Sequence, residues 1–435
     1  MSETALIVSA TSPVPVDNGK RVVLYGLLQY LVDRLGPDNV HYALVDSPDG
    51  TRAEFPGVPH RLDRPSTVGQ LTTLARRFPF DRAYTVQEAM LGGTALRTQV
   101  QQLVERLRPD IELYDTLRLG QHAPDAPRGR RRILYLDDLF SVRYDRMLAV
   151  DAERRDLDIN PLGEFAANVP GVMRALIRHR AVYRPVLRME RDRIRRAEAR
   201  IVRRFDTSLL VNGDEVASLR RLSGSDAVQV VHGMLPPVDP PVRAPADPPE
   251  LVFLGRLNIP HNDDAICAFL RSSWPEIARR HPAATLRIIG RDPSAALLAL
   301  VERFAPRVVL EGFVADLDAV FARATASLAP LRFGSGVKIK MLDALARGVP
   351  VIATSVSVEG IPVEPDGSDG CAVSDDPAAW ADLVDELVDP AVNAQRSKGA
   401  LAFFERTYSP DVVAAQYDAI FGLSGSGRPG PRPGA

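Results

Sequence analysis

Residues 330–350 read P-L-R-F-G-S-G-V-K-I-K-M-L-D-A-L-A-R-G-V-P, and three structural patterns meet there. The short apolar run 324–330 predicts the buried end of a strand. Gly334 and Gly336 mark a loop. A helix follows, with Ile339, Leu342 and Ala346 on one face and Gly348 as its stop. The run 349–354 predicts the next strand. Strand, glycine loop, helix and strand form the repeating unit of a parallel sheet. Such a loop leaves backbone N–H groups bare at the positive end of a helix, where an anion such as a diphosphate is stabilised. Lys338 and Lys340 fall in the first helical turn, where positive charge opposes the helix dipole. A bound anion gives them a reason to be there.

The same alternation extends to both sides. A strand at 5–10 leads through T-S-P-V-P-V-D-N-G-K-R into an apolar-periodic helix over 22–35. Gly19, Lys20 and Arg21 at its start either touch phosphate and sugar hydroxyls or form a turn glycine with a solvated basic pair. Strands are expected at 39–45, 110–114, 132–136 and 207–211, separated by helical patterns at 66–77, 88–108, 141–155 and 163–204. This predicts an α/β fold with parallel sheets covered by helices on both faces. Ligands then sit outside the carboxyl ends of the strands. Asp115 and the pair Asp137 and Asp138, with Ser141, come at those ends. They serve a site, or Asp138 or Ser141 caps the following helix.

Residues 236–250 hold seven prolines, which favour extended backbone and mark a semi-rigid linker. Beyond it, strands at 251–254, 285–289 and 308–310 end in Gly255-Arg256, Gly290-Arg291 and Glu311-Gly312-Phe313, with helices at 261–279 and 315–324. A guanidinium at a strand end clamps phosphate oxygens bidentately. The expected domains are 1–235, a linker 236–250, 251–405, a helical segment 406–422 returning to the first domain, and a low-complexity tail 423–435.

Composition narrows the partners. A net charge of −1 over 435 residues gives no electrostatic case for nucleic acid. Cys267 and Cys371 lie far apart, without metal-ligand spacing, as in a reducing compartment. The N-terminus lacks a basic segment followed by an apolar core, so a first strand and a cytoplasmic location are expected. Lysine occurs only at positions 20, 338, 340 and 398, and the first three adjoin glycine loops. Residues 174–204 carry twelve Arg against Glu190, Asp192 and Glu198. Such a helix either lies on anionic lipid at the inner membrane face or presents a solvated face while packed.

The motifs taken together resemble the GT-B glycosyltransferases of family GT4. The segments L-V-F-L-G-R-L-N-I-P-H-N-D-D-A-I, L-R-I-I-G-R, E-G-F-V-A-D-L and the opening stretch stand in that family's order between Leu251 and Ile361. The likeness extends over roughly 5–420 through P-V-P-V-D-N-G-K-R, Y-D-T-L-R, D-D-L-F-S-V-R-Y and M-E-R-D-R-I-R-R-A-E. It implies two Rossmann-like, doubly wound domains facing a cleft, and a retaining transferase needing no divalent metal and no permanent cofactor. The donor is a nucleoside-diphosphate sugar; the acceptor is a glycan, a lipid-linked glycan or a small molecule.

Carried over by position, Gly255 and Arg256 hold the diphosphate, and Gly334, Ser335, Gly336 and Val337 offer backbone donors. Lys338 and Lys340 add charge, Asp343 meets the ribose, and the backbone near Val314 edges the base. Gly19 approaches the phosphates. Lys20, Arg21, Asp115 and Asp138 belong to the acceptor side, and Asp137 takes the place of the family's cleft histidine. Arg256, Lys340 and Asp137 are the expected catalytic groups.

Three departures stand out. Ser335 replaces the first of the family's two glutamates and Asp343 the second. Pro260, His261 and Asn262 occupy the region of the usual second cation, a charge that Lys338 or Lys340 replaces. Lys340 is also spaced for an i,i+3 pair with Asp343. A catalytically lapsed binder of nucleotide sugars and a nucleotide-sugar epimerase are the alternatives. Hydride transfer is disfavoured, because no G-x-G-x-x-G follows either first strand.

Overall fold

The computed structural model describes residues 3–16, 19–46, 55–124, 130–153, 180–236, 238–334 and 336–423. Ser335, Pro237, the N-terminal part of the expected 163–204 helix and the tail beyond 423 lie outside these residues. The chain divides into two compact units. One runs to Gly233 and regains the chain from Ala414; the other is Met234–Val413.

The first unit holds a seven-stranded sheet, with strands β1 (Ala5–Ser9), β2 (Val40–Asp46), β3 (Val58–Asp63), β4 (Ile111–Asp115), β5 (Arg131–Asp137), β6 (Thr207–Leu210) and β7 (Val228–Val230) in the order β3-β2-β1-β4-β5-β6-β7. Every pairing is parallel. The central strands β1 and β4 are buried along their whole length. They accordingly do not alternate: β1 is apolar up to Ser9, and β4 buries Glu112 and Asp115 among Ile111, Leu113 and Tyr114. The second unit repeats the plan with β8 (Glu250–Leu254), β9 (Thr285–Ile289), β10 (Val308–Gly312), β11 (Ala326–Ala329), β12 (Val351–Ala353) and β13 (Cys371–Val373), ordered β10-β9-β8-β11-β12-β13 and again parallel. Strand order reverses between β1 and β4 and between β8 and β11. Those two switch points are where such sheets open a crevice for ligands.

Four sequence expectations need correction. Strands β3, β7 and β13 were not anticipated. The 88–108 helix is two helices, Val86–Ala89 and Thr94–Leu107, parted by Gly92 and Gly93. The 261–279 helix breaks at Ser273 into Pro260–Ser272 and Trp274–Arg280. The stretch 390–421, whose apolar pattern also predicts one helix, breaks at Ser409, because Pro410 starts a new helix, Pro410–Phe421.

The proline-rich segment is tied down on the second unit: Ala244 and Ala246 donate their amides to Ala322 and Arg323 carbonyls at 2.9 and 2.8 Å. In the first unit, Tyr417 donates to the His232 carbonyl at 2.7 Å. There Arg34 also meets Asp418 at 2.8 Å, and the Tyr30 and Tyr417 rings stand edge to face at 5.2 Å. This seats the chain's last described helix on the first sheet's layer.

One close contact shapes the carboxyl edge of the second sheet. A Cβ on Gly290 would lie 1.9 Å from the Gly255 carbonyl oxygen, so the chains leaving β8 and β9 meet backbone to backbone. Gly290→Ala should therefore lower stability by about 3 kcal/mol in urea unfolding, the upper end for overpacking. An unchanged midpoint would show that this contact relaxes freely.

Candidate functional site

The expected site residues fall at the carboxyl ends of strands in both units, and each unit is taken by itself. In the second unit, β8 ends at Gly255 and Arg256. The Arg256 side chain is exposed and has no hydrogen-bond or ion-pair partner among the described residues. A Cβ on Gly255 would press on the Asn262 carboxamide at 3.1 Å, so Gly255 lets that side chain in. Asn262 then donates from Nδ2 to the Arg256 carbonyl at 3.0 Å and accepts at Oδ1 from Lys340 Nζ at 2.7 Å. The expected Lys340–Asp343 pair does not form. Asp343 is held by Arg347 one helical turn on, and Arg347 also binds Asp318 at 2.6 Å.

Gly334 and Gly336 have φ of +127° and +79°, a backbone only glycine adopts without strain. They turn the chain ahead of helix Ile339–Ala346, with Lys338 as its N-cap. Lys338 is buried and donates to the Gly336 carbonyl at 2.6 Å. Lys340 lies over the Phe253 ring at 4.9 Å. Burial, and then the Lys338 charge, pull its ammonium down to about 7. Burial and the two lysines push the His261 imidazole down to about 4, so it is neutral. Two cations and a neutral imidazole crowd a glycine turn, a cluster that a bound anion would stabilise.

Val314 follows β10 directly. Its neighbour Phe313 is two-thirds exposed at 67%, with the Arg291 guanidinium over its ring at 4.4 Å. This aromatic shelf at a strand's carboxyl end was not anticipated. The E-G-F run at the end of an apolar strand was its only trace in the sequence.

In the first unit, Lys20 and Asp115 are brought together: Nζ meets Oδ1 at 2.8 Å, and Ser9 donates to Oδ2 at 2.7 Å. The ends of β1, β4 and helix Gly19–Leu35 are thus pinned at the switch point. Arg21 turns away and donates to the Pro15 carbonyl at 3.3 Å. Gly19 opens the helix in the place expected of it. Thr116 and Asp137, at the ends of β4 and β5, have φ of +63° and +70°. Left-handed backbone outside glycine concentrates at functional positions.

Asp137 sits where the β5–β6 register shifts, a local bulge. It accepts from Tyr135 at 2.8 Å. Burial first, then Asp138, raise its carboxyl to about 6 against the pull of Lys20, Tyr135 and Arg143. Neighbouring Asp138 is buried and locked by Arg143 at 2.6 Å.

Neither Asp138 nor Ser141 caps helix Phe140–Glu153 with its own side chain. The Leu139 amide donates to Glu215 at 2.7 Å, and the Ser141 amide donates to Glu198 at 3.2 Å. Burial raises Glu215 to about 7 and Glu198 to about 8.

Glu198 belongs to the arginine-rich helix Arg180–Ile201, as does Glu190, which accepts from the Val86 and Gln87 amides at 2.7 and 3.3 Å. Its arginines also serve the fold. Arg193 donates to the Asp81 carbonyl at 2.8 Å, and in the turn Val202–Arg204 that follows the helix Arg203 donates to Ser223 at 2.8 Å and Arg204 to Ala123 at 2.9 Å. Much of the basic face is thus spent on loop carbonyls. Among the described residues no helix is long and apolar enough to cross a membrane, and no three His, Cys, Asp or Glu side chains cluster as metal ligands. Cys267 and Cys371 are free and buried.

Residues 248–389 match the model of a family described as Glycosyl transferases group 1. Sucrose-phosphate synthase of Thermosynechococcus elongatus superposes over 97% of this chain and 100% of its own, with a TM-score of 0.61 at 14% identity. HepE of Anabaena, in complex with UDP, covers 97% and 99% with a TM-score of 0.58 at 11% identity. WaaG, a glycosyltransferase involved in lipopolysaccharide biosynthesis, covers 96% and 100% with a TM-score of 0.54 at 14% identity. Among curated proteins none matches the chain. At these identities the structures show the fold: two Rossmann-like parallel-sheet domains of GT-B type.

Asp137 yields a stability test. Its folded pKa lies above the ordinary carboxyl value of 3.8, at about 6. The cost of ionising it is therefore absent below about pH 4 and complete above about pH 6. Asn also tolerates the left-handed backbone well. Asp137→Asn should melt higher than the parent at pH 7, by a margin that shrinks towards pH 4. A margin independent of pH would assign the gain to backbone strain alone.

Proposed function

We propose that this protein is a retaining, metal-independent glycosyltransferase that moves a sugar from a nucleoside-diphosphate sugar to an acceptor hydroxyl. The observation that carries it is the cationic turn at the β8–β11 switch point. There Asn262 joins the Lys340 ammonium to the backbone carbonyl of Arg256, whose guanidinium has no partner among the described residues. The partial family match and the shared fold of glycosyltransferase structures support the same reading.

As the glycosyl C–O bond breaks, negative charge grows on the departing diphosphate. Groups that bind this charge more strongly than the ground state accelerate the step. Arg256 and Lys340 supply fixed cations, and the Gly334–Val337 turn supplies backbone donors. The acceptor oxygen adds to the anomeric carbon on the face the leaving group vacates, and its proton passes to the diphosphate. Metal independence rests on the family resemblance; the cations supply the charge a divalent ion would.

Phe313 is the shelf for the base, with Val314 beside it. Asp343 reaches the ribose once Arg347 shares it. In the first unit, Asp137 orients the acceptor hydroxyl, and Lys20, Asp115 and Asp138 hold the surrounding polar frame. The acceptor is a glycan, glycolipid or small molecule. A cytoplasmic location, with the arginine-rich helix against the inner membrane face, belongs to the same proposal.

A panel of nucleotide sugars, assayed for release of free nucleoside diphosphate with and without chelator, tests the reaction. Turnover should survive chelation, and Arg256→Ala should lose about a hundredfold in kcat. Donor binding without turnover under every acceptor would select the lapsed reading instead. Phe313→Ala should weaken nucleotide binding about tenfold and leave pyrophosphate binding unchanged.

Lys340 adds a pH signature. Anion binding favours its charged form, so below pH 7 the ligand meets an ammonium already formed, and above it a proton must be taken up. Nucleoside-diphosphate affinity should fall from pH 6 to pH 9, and Lys340→Gln should flatten that fall. A parent protein with no pH dependence would remove Lys340 from the site.

A further inference from the structure

We propose that the first unit carries a second anion site, a guanidinium-lined cavity that binds a phosphate group. The cavity measures about 300 Å³ and is lined by Arg77, Arg97, Arg200 and Arg204, with Glu88 and Gln121. None of these residues belongs to the strand-end cluster of Lys20, Asp115 and Asp137. They come from five separate places in the chain: the end of helix Thr67–Arg77, helix Val86–Ala89, helix Thr94–Leu107, the turn after helix Thr116–Gly120, and the end of the arginine-rich helix with the turn Val202–Arg204 that follows it. Four like charges at one cavity repel one another, and folding brings them together all the same.

The acidic groups present do not balance them. Arg200 pairs with Asp81 at 2.9 Å and reaches Glu88 at 3.5 Å. Arg77 reaches the same Asp81 at 3.5 Å and lies over the Tyr84 ring at 4.0 Å. Arg204 gives one N–H to a carbonyl that carries no formal charge. The Arg97 side chain is exposed and, among the described residues, has neither a hydrogen-bond nor an ion-pair partner. Among the described residues, Arg77, Arg97 and Arg200 thus have only Asp81 and Glu88 to answer them, and Arg97 takes neither. Burial first, and then the Arg97 and Arg77 charges, pull the His122 imidazole next to Gln121 down to about 4.

Guanidinium groups match phosphate oxygens in pairs, whereas the Gln121 amide is already spent on the Glu88 and Arg118 carbonyls at 2.7 and 2.8 Å. The space accommodates a phosphate together with the group that bears it. That group is either a soluble phosphate ester or the headgroup of an anionic lipid. The site is independent of the donor turn, which lies in the other unit.

The test titrates the full chain with inorganic pyrophosphate by calorimetry, and pellets it with phosphatidylglycerol vesicles against pure phosphatidylcholine. Arg97→Glu reverses the unpaired charge and suits the first turn of its helix, so the fold is retained. Arg76→Glu makes the same change on the exposed face of helix Thr67–Arg77, outside the cavity. Arg256→Ala removes the donor-side contribution. The expected result is a pyrophosphate site that survives Arg256→Ala and weakens about tenfold in Arg97→Glu but not in Arg76→Glu. Vesicle binding lost in Arg97→Glu alone, without such a pyrophosphate site, also supports the cavity and assigns the phosphate to lipid. Equal losses in Arg97→Glu and Arg76→Glu, or no loss in either assay, overturn the proposal.

Discussion

One carboxamide organises the donor-side loops. Asn262 accepts from Lys340 with its oxygen and donates to the Arg256 carbonyl with its nitrogen. A buried ammonium needs a hydrogen-bond acceptor, and an acidic one would cancel its charge. An amide oxygen satisfies the ammonium and leaves its charge available. The same side chain fixes the turn after β8, because Gly255 leaves room for it. Lys340 thus keeps its charge on the helix after the glycine turn, and the Asn262 oxygen offsets part of the cost of a lysine in a helical turn that electrostatics disfavours.

What the sequence made legible follows from range. The parallel alternation could be read because each central strand is a buried apolar run bounded by glycine or a charged residue, which is local information. Strands β7 and β13 are three residues each, too short to show a pattern. Strand β3 reads V-P-H-R-L-D, with a proline and alternate residues exposed, as an edge strand does. The glycine turn and Arg256 were visible as motifs. Their linkage through Asn262 was not, since the contact spans 78 positions between Asn262 and Lys340. The Lys20–Asp115 pair was hidden for the same reason: both residues were singled out, and only the fold joins them.

The arginine-rich helix shows how composition misleads when hydrogen-bond needs are ignored. Its three acidic residues look incidental in the sequence. Two of them, Glu190 and Glu198, are buried and serve the amide ends of other helices. The arginines do the complementary task at carbonyl ends of loops. Capping at a distance leaves no mark at the capped residue, which is why Asp138 and Ser141 were the expected caps.

The backbone contact between Gly255 and Gly290 also bears on how this protein can diversify. At Gly290 a side chain would run into the Gly255 carbonyl, and at Gly255 it would press on the Asn262 carboxamide, so neither position takes a larger residue unless its neighbour moves. Under the proposed function, variation in nucleotide recognition falls instead to exposed positions such as Phe313, and a combinatorial library placed there would explore the ligand-facing surface while leaving its foundation intact.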